Sequence, residues 1–274
     1  IGMLFDYDVQ DSDIYLSHLK AFYHHPRFEV KWAIDPCVAK LEKARERYTG
    51  DIHFIEGFNH VNIFPDLVVI ATPTAITRDV FQKLKDKQEI KLFVLEKPLW
   101  NENWDFAEYE SISSRCVVNY IRKYMPFVRE LKEKLNSGEI GKPLSMQINY
   151  TKGLMNNGSH FIDLANYIFG PSFMPESVHI INRVNDYIKD DPSISFSVNY
   201  RWRDSEFPVV FQCGDERVYS QIEWNIYFEK SRIRVFDFEE RFEQFELREN
   251  PLFKGYFNMQ KSNLNRTEIN RYAW

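Results

Sequence analysis

Cysteine is scarce in this chain of 274 residues. Cys37, Cys116 and Cys213 lie far apart, with no C-x-x-C pair and no spacing that suggests a disulfide framework. They read as reduced, mostly buried thiols of an intracellular protein. Long hydrophobic runs are lacking too: none approaches the roughly 20 apolar residues needed to span a bilayer. No secretory signal pattern is read in the N-terminal residues, and no repeat or low-complexity segment is present. Nor is there a large excess of one charge. The net charge of −5 offers no polybasic surface for nucleic acid or an anionic membrane. These absences predict a cytoplasmic protein with neither a membrane nor a nucleic-acid partner. A glycine-rich loop is also missing, because "IGMLFDYD" holds only Gly2.

What is present is apolar and aromatic. Hydrophobic residues make up 44% of the chain, enough to bury a full core in two domains. The 23 Phe and 15 Tyr favour strands and large packed sheet faces over a helical bundle.

The order of elements divides the chain near residue 120. "FEVKWAID" (28–35), "IHFI" (52–55), "DLVVIATP" (66–73), "KLFVLEKP" (91–98) and "RCVVNY" (115–120) read as strands, the third and fourth apolar enough to be buried on both faces. Helical spacing over 37–48, 75–87 and 103–114 falls between them. This βαβ alternation predicts a Rossmann-type, doubly wound parallel sheet with helices on both sides over residues 1–120. Its first strand is expected to precede Ile1, with Gly2 as the last glycine of a dinucleotide fingerprint. After Tyr120, a helix over 127–138 ending at Gly138 leads into alternating segments at 144–150, 177–186, 193–202, 207–214, 220–238 and 241–247. These predict an α+β domain over 121–274 with a large, mostly antiparallel open sheet.

Three segments carry candidate chemistry. Asp35 ends the strand "WAID", where a dinucleotide fold keeps the acid that binds ribose hydroxyls; an acid capping the turn before Pro36 and the next helix is the plain alternative. "VVIATPT" brings Ala71, Thr72 and Pro73 to the carboxyl edge of the sheet, the ligand crevice of an open α/β fold; an ordinary strand-to-helix turn would look the same. In "VLEKPLW", Glu96 and Lys97 emerge at that edge after an apolar strand. A lysine there can stabilise a developing alkoxide, although most lysines are simply solvated at turns. In "GLMNNGSHFID", His160 and Asp163 share a helix face one turn apart. Asn, Gly and Ser there are also good helix caps. His160 and Asp163 make only two ligands, so no metal site is expected.

"ATPTAIT", "LEKPLW" and "GLMNNGSHFIDLANYIFG", in that order, resemble the Gfo/Idh/MocA family of NAD(P)-dependent oxidoreductases. The motifs run from Gly2 to Gly170, and the β-rich remainder agrees in pattern. The resemblance implies hydride transfer between a nicotinamide and a sugar or nucleotide-sugar-like substrate, in a setting such as surface carbohydrate biosynthesis. Carried over, Lys97 contacts cofactor and substrate, His160 is the acid/base, and Asp163 orients it or touches substrate. Asn156 stands where the family commonly has Asp: it cannot take a proton but can hydrogen-bond a hydroxyl. Thr77 stands where a His is often found. Gly2, Asp35, Ala71, Thr72, Pro73, Glu96, Lys97 and Asn119 are expected to hold the cofactor. Tyr120, Arg122, Lys152 and Asn157 are expected to reach the substrate, although salt bridges between the domains would explain the cations equally well. Asp35, with no Arg directly after it, favours NAD over NADP. The aromatic load of 190–260 predicts that the sheet face is covered in a homodimer or homotetramer. The departures at Asn156 and in the glycine loop leave a second reading, a cofactor- or sugar-binding regulator with impaired catalysis.

Overall fold

The computed structural model describes residues 15–99, 110, 113–170, 174–186 and 188–262. Gly2 and most of the helix expected over 103–114 lie outside the described residues. The chain splits into two compact units between Asn119 and Tyr120.

The described part of the first unit is parallel. Strands β1 (Trp32–Ile34) and β2 (His53–Ile55) pair in register, and helix α2 (Val38–Arg47) connects them. Helix α1 (His18–His24), capped by Ser17, precedes this pair. Strands β3 (Leu67–Ile70), β4 (Leu92–Leu95) and β5 (Cys116–Val118) form a second parallel sheet with β4 in the centre. Helix α3 (Thr74–Leu84) crosses from β3 to β4, the connection that parallel strands require. Its Phe81 and Leu84 pack on Ile70, Phe93 and Leu95. Phe81 and Phe93 meet edge to face, their ring centroids 5.1 Å apart. The expectation that β3 and β4 are buried on both faces holds only in part. Of β3, Ile70 alone is buried; in β4, Phe93 and Leu95 are.

The second unit is built on an eight-stranded sheet in the order β13-β12-β11-β10-β6-β9-β8-β7. Its strands are β6 (Pro143–Tyr150), β7 (Met174–Val184), β8 (Ser193–Trp202), β9 (Ser205–Cys213), β10 (Ile222–Phe228), β11 (Ser231–Phe236), β12 (Arg241–Glu249) and β13 (Phe257–Lys261). All neighbouring pairs are antiparallel except β6 with β9. The run 220–238, read as one alternating segment, is a hairpin that turns at Glu229–Lys230. Residues 257–261, absent from the sequence-based strands, add an edge.

Helices α4 (Pro126–Ser137) and α5 (Ser159–Phe169) cover one face of this sheet. Helix α4 starts with Pro126 and stops at Gly138, whose φ of 77° lets the chain turn in the left-handed region. Many of the aromatic residues go into this covered side. Phe196, Tyr200, Trp202, Phe207, Phe211, Trp224 and Phe228 all belong to the core beneath the two helices. The other face carries the cross-strand row Glu243, Arg234, Asn225, Gln147, Val210 and Ser197, followed by Phe245, Arg232, Tyr227 and Ser145. That face is mostly polar. Alternation along the strands thus sends part of the aromatic load to the helix side and leaves Tyr227 and Phe245 on the other.

Candidate functional site

In the first unit, the ends of the parallel strands hold the candidate cofactor residues. Backbone bonds continue the ladders past their ends: Glu96 N–H donates to Ile70 O at 3.1 Å, and Asn119 N–H to Leu95 O at 2.8 Å. Glu96 Oε1 lies 2.6 Å from His18 Nε2 and accepts from Asn119 Nδ2 at 2.7 Å. Burial pulls the Glu96 carboxyl up, but the bonds from His18 and Asn119 outweigh it and hold the group below its ordinary range. The structure thus brings Glu96 and Asn119 together and adds His18, 78 residues upstream of Glu96. No local pattern marked His18. Lys97 follows, half-buried, and the Lys97–Pro98 peptide is cis.

Ala71, Thr72 and Pro73 connect β3 to α3. Thr77 Oγ1 is buried one helical turn in and donates to Thr72 O at 3.1 Å. At this position, then, Thr77 closes the loop on itself. Asp35 is 7% exposed at the end of β1. It accepts from Cys37 N–H at 2.9 Å and lies 3.8 Å from Lys40 Nζ. The turn-capping role expected as the plain alternative is present, and a carboxylate at the strand end is present with it.

In the second unit, His160 is 8% exposed in the first turn of α5. Tyr120 packs edge-on against its imidazole, ring centroids 5.3 Å apart, and Lys123 Nζ lies 5.9 Å from the centre of the Tyr120 ring. Asp163 Oδ1 is 3.3 Å from Lys123 Nζ. Burial raises the Asp163 carboxyl above its ordinary range, and Lys123 opposes that rise without cancelling it. The i, i+3 expectation that Asp163 orients the imidazole is corrected: its carboxylate bonds Lys123 instead. Tyr120, Lys123, His160 and Asp163 form one cluster.

Three other expectations change. Arg122 was to reach substrate, but both of its bonds go to Glu239, at 2.7 and 2.6 Å, and its guanidinium lies over Phe161. Asn156 Nδ2 donates to Lys152 O at 3.1 Å and to Asn157 Oδ1 at 3.3 Å. Asn157 Nδ2 donates to Thr151 O at 2.8 Å. Both amides hold the loop rather than offering these hydrogens to a hydroxyl. The expected side-chain cap of α5 is also replaced. A π-helical turn (Leu154–Gly158) runs straight into the helix, and no Asn or Ser side chain caps it. Lys152, half-buried, sits before that turn at a φ of 68°.

A chain of donors replaces the cap. Lys152 N–H donates to Asp186 Oδ2 (2.7 Å), Gly153 N–H to Ser193 Oγ (2.8 Å) and Leu154 N–H to Pro192 O (3.0 Å). Met155 and Asn156 N–H donate to Asp191 Oδ1 and Oδ2, at 2.8 and 2.7 Å. Sequence reasoning missed Asp186 and Asp191. The signal available for Asp191 was "KDDPSIS", a pair of acids before a Pro, which resembles an ordinary turn. Among the described residues, no group of three His, Cys, Asp or Glu is placed to hold a metal ion. Among them, too, no helix is long and apolar enough to cross a membrane.

No protein-family model matches the chain. A curated relative, the scyllo-inositol 2-dehydrogenase (NAD+) of Bacillus subtilis, is 27% identical over 135 residues. That stretch is 42% of this chain and spans only 38% of the relative's length. Among solved structures, the WlbA dehydrogenase of Bordetella pertussis, in complex with NADH and UDP-GlcNAcA, aligns with a TM-score of 0.65 and 18% identity. The alignment covers 85% of this chain and 74% of that one. The dehydrogenase MviM of Clostridium difficile aligns with a TM-score of 0.63 at 15% identity, covering 90% and 78%. The chain has the fold of these Rossmann-type dehydrogenases, and the comparisons bear out its resemblance to the Gfo/Idh/MocA family.

Proposed function

We propose that this chain is a nicotinamide-dependent oxidoreductase that interconverts a hydroxyl and a carbonyl on a sugar or nucleotide-linked sugar. The observation that carries the reading is Lys97: it leaves the central strand of a parallel sheet directly after Glu96, a carboxylate fixed by two side chains. A 27% identical inositol dehydrogenase and a structural neighbour holding NADH and a nucleotide sugar support it. A role in surface carbohydrate biosynthesis is part of the same proposal.

The residues of the first unit fit a dinucleotide. Asp35 offers a buried carboxylate at a strand end, and Ala71–Pro73, Glu96, Lys97 and Asn119 lie at the carboxyl ends of β3, β4 and β5. Gly2 belongs to the same proposal. When bound, NAD supplies the hydride acceptor at its nicotinamide. Lys97 hydrogen-bonds the substrate hydroxyl and stabilises the negative charge that builds on its oxygen. His160 of the second unit is assigned the acid/base role, because an imidazole can take a hydroxyl proton and return it in the reverse direction. Tyr120, Lys152 and the Lys123–Asp163 pair are assigned to the substrate side. Asn156 and Asn157 shape the loop. Cytoplasmic location and self-assembly through the sheet of the second unit complete the proposal.

A regulator that binds without turnover is the second reading, favoured by the commitment of both Asn amides to the loop. NADH fluorescence titration of the protein, followed by transfer of deuterium from labelled NADH to a panel of inositols, sugars and nucleotide-sugar ketones, separates the two. Failure to bind either NAD(H) or NADP(H) sinks the enzyme reading, and binding without transfer favours the regulator. Lys97→Ala and His160→Ala are each expected to lower kcat/KM by about 100-fold or more.

A further inference from the structure

The five successive backbone donors from Lys152 to Asn156 all end on one short segment, 186–193, that connects β7 to β8. Helix starts leave such N–H groups without intrahelical partners, so something outside the helix must take them. Here the partners are two carboxylates, one hydroxyl and one carbonyl. Asp191 does the most: its two oxygens accept one N–H each, a fork that fixes both the direction and the rotation of the first turn. Asp186 also accepts from Ser193 Oγ at 2.9 Å, which ties the hydroxyl to the same frame.

The local sequence is shaped around Asp191. Gly153 has a φ of 86°, and a Cβ there would lie 2.2 Å from Asp191 Oδ2. Only glycine meets both conditions. Beyond the clamp, Asn157 and Gly158 N–H donate to Gly153 O at 3.0 and 3.1 Å, so the π turn propagates from the clamped residue into α5. Tyr150 closes the back of the assembly: its hydroxyl donates to Ile194 O at 2.7 Å and accepts from Ile194 N–H at 2.9 Å. His160 lies four residues after Asn156, one turn along the same continuous helix.

We infer that Asp191 is a positioning residue for His160: by gripping the Met155 and Asn156 amides it sets the start of α5 and hence the direction of the imidazole. The inference rests on the reading of His160 as the proton carrier. Asp191 holds the backbone and leaves proton transfer to His160. Its removal should therefore affect the chemical step more than cofactor binding.

Asp191→Asn keeps the size of the side chain but replaces one acceptor oxygen with a donor that faces a donor. It is expected to fold, to bind NADH within twofold of the parent protein, to lower kcat at least tenfold, and to move the alkaline or acidic limb of the kcat–pH profile. Asp191→Ala should lower kcat further. In both variants, the Met155 and Asn156 amides should exchange hydrogen at least tenfold faster. NMR titration of the His160 imidazole, assigned with His160→Gln, should show a midpoint shifted by at least 0.3 pH unit in Asp191→Asn. That titration does not depend on turnover, so it decides the positioning claim even if no substrate is converted. If Asp191→Asn is folded and leaves kcat within twofold, or leaves the His160 titration unchanged, the inference is overturned. A fall in kcat matched by an equal fall in NADH affinity also overturns it, because the effect would then be general destabilisation.

Discussion

Arg122 and Glu239 are locked in a two-point ion pair, their side chains only 7% and 5% exposed. Trp224 Nε1 adds a third bond to Glu239 Oε1 at 3.1 Å. A guanidinium committed in this way has no free fork for a substrate carboxylate or phosphate. Removing one partner leaves the other charged and buried, so Arg122→Ala and Glu239→Ala should each destabilise by about 3–5 kcal/mol. Chemical denaturation checks this. A variant with unchanged stability and a raised KM would restore Arg122 to the substrate side.

The Asp163 carboxyl supplies a pH signature. Its folded-state value is raised, first by burial, with Lys123 opposing. The folded chain therefore holds this proton more tightly than the unfolded chain does. Its contribution to stability is fully present below the ordinary carboxyl value and is lost as pH rises through the raised folded value. Asp163→Asn should flatten that part of the curve. Unfolding free energies measured at half-unit steps from pH 3.5 to 7 would test this, and an unchanged slope would contradict it.

Much of this fold can be read from periodicity. The βαβ alternation to residue 120 and most strands of the second unit follow from apolar spacing, because burial on one face or two leaves a direct trace. The catalytic candidates were marked by short motifs. Their partners were not: His18 meets Glu96 and Asp191 meets Met155 across long separations, and nothing local distinguishes such a His or Asp from a solvated one. The aromatic residues are ambiguous for a similar reason. Composition shows how many rings must be covered, but only the register of the strands shows which side covers them.

The bond between His18 and Glu96 joins α1 to the residue just before Lys97. His18→Ala should cost about 1.5–3 kcal/mol, the range for a hydrogen bond to a charged group. Because the Glu96 carboxyl is held below its ordinary range, the stability it contributes is present above the unfolded value and lost as pH falls through the folded one. The parent protein should thus lose more stability on acidification than Glu96→Gln does. Thermal melts of both proteins between pH 3 and 7 test the sign, and parallel curves would count against it.

Asp35 offers a test of cofactor choice that separates charge from capping. Its Oδ1 accepts from Cys37 N–H, and Oδ2 lies 3.8 Å from Lys40 Nζ. Asp35→Asn can keep the first bond while removing the charge that would repel a 2′-phosphate. It also releases Lys40 from its carboxylate neighbour, leaving an ammonium near the same strand end. The ratio of kcat/KM for NADP to that for NAD should rise about 10- to 100-fold, or ~1.4–2.8 kcal/mol of preference. Asp35→Ala should add a stability loss of about 1 kcal/mol, because it also removes the acceptor for the Cys37 amide. If Asp35→Asn leaves the ratio unchanged and Asp35→Ala costs only stability, Asp35 is a cap and nothing more.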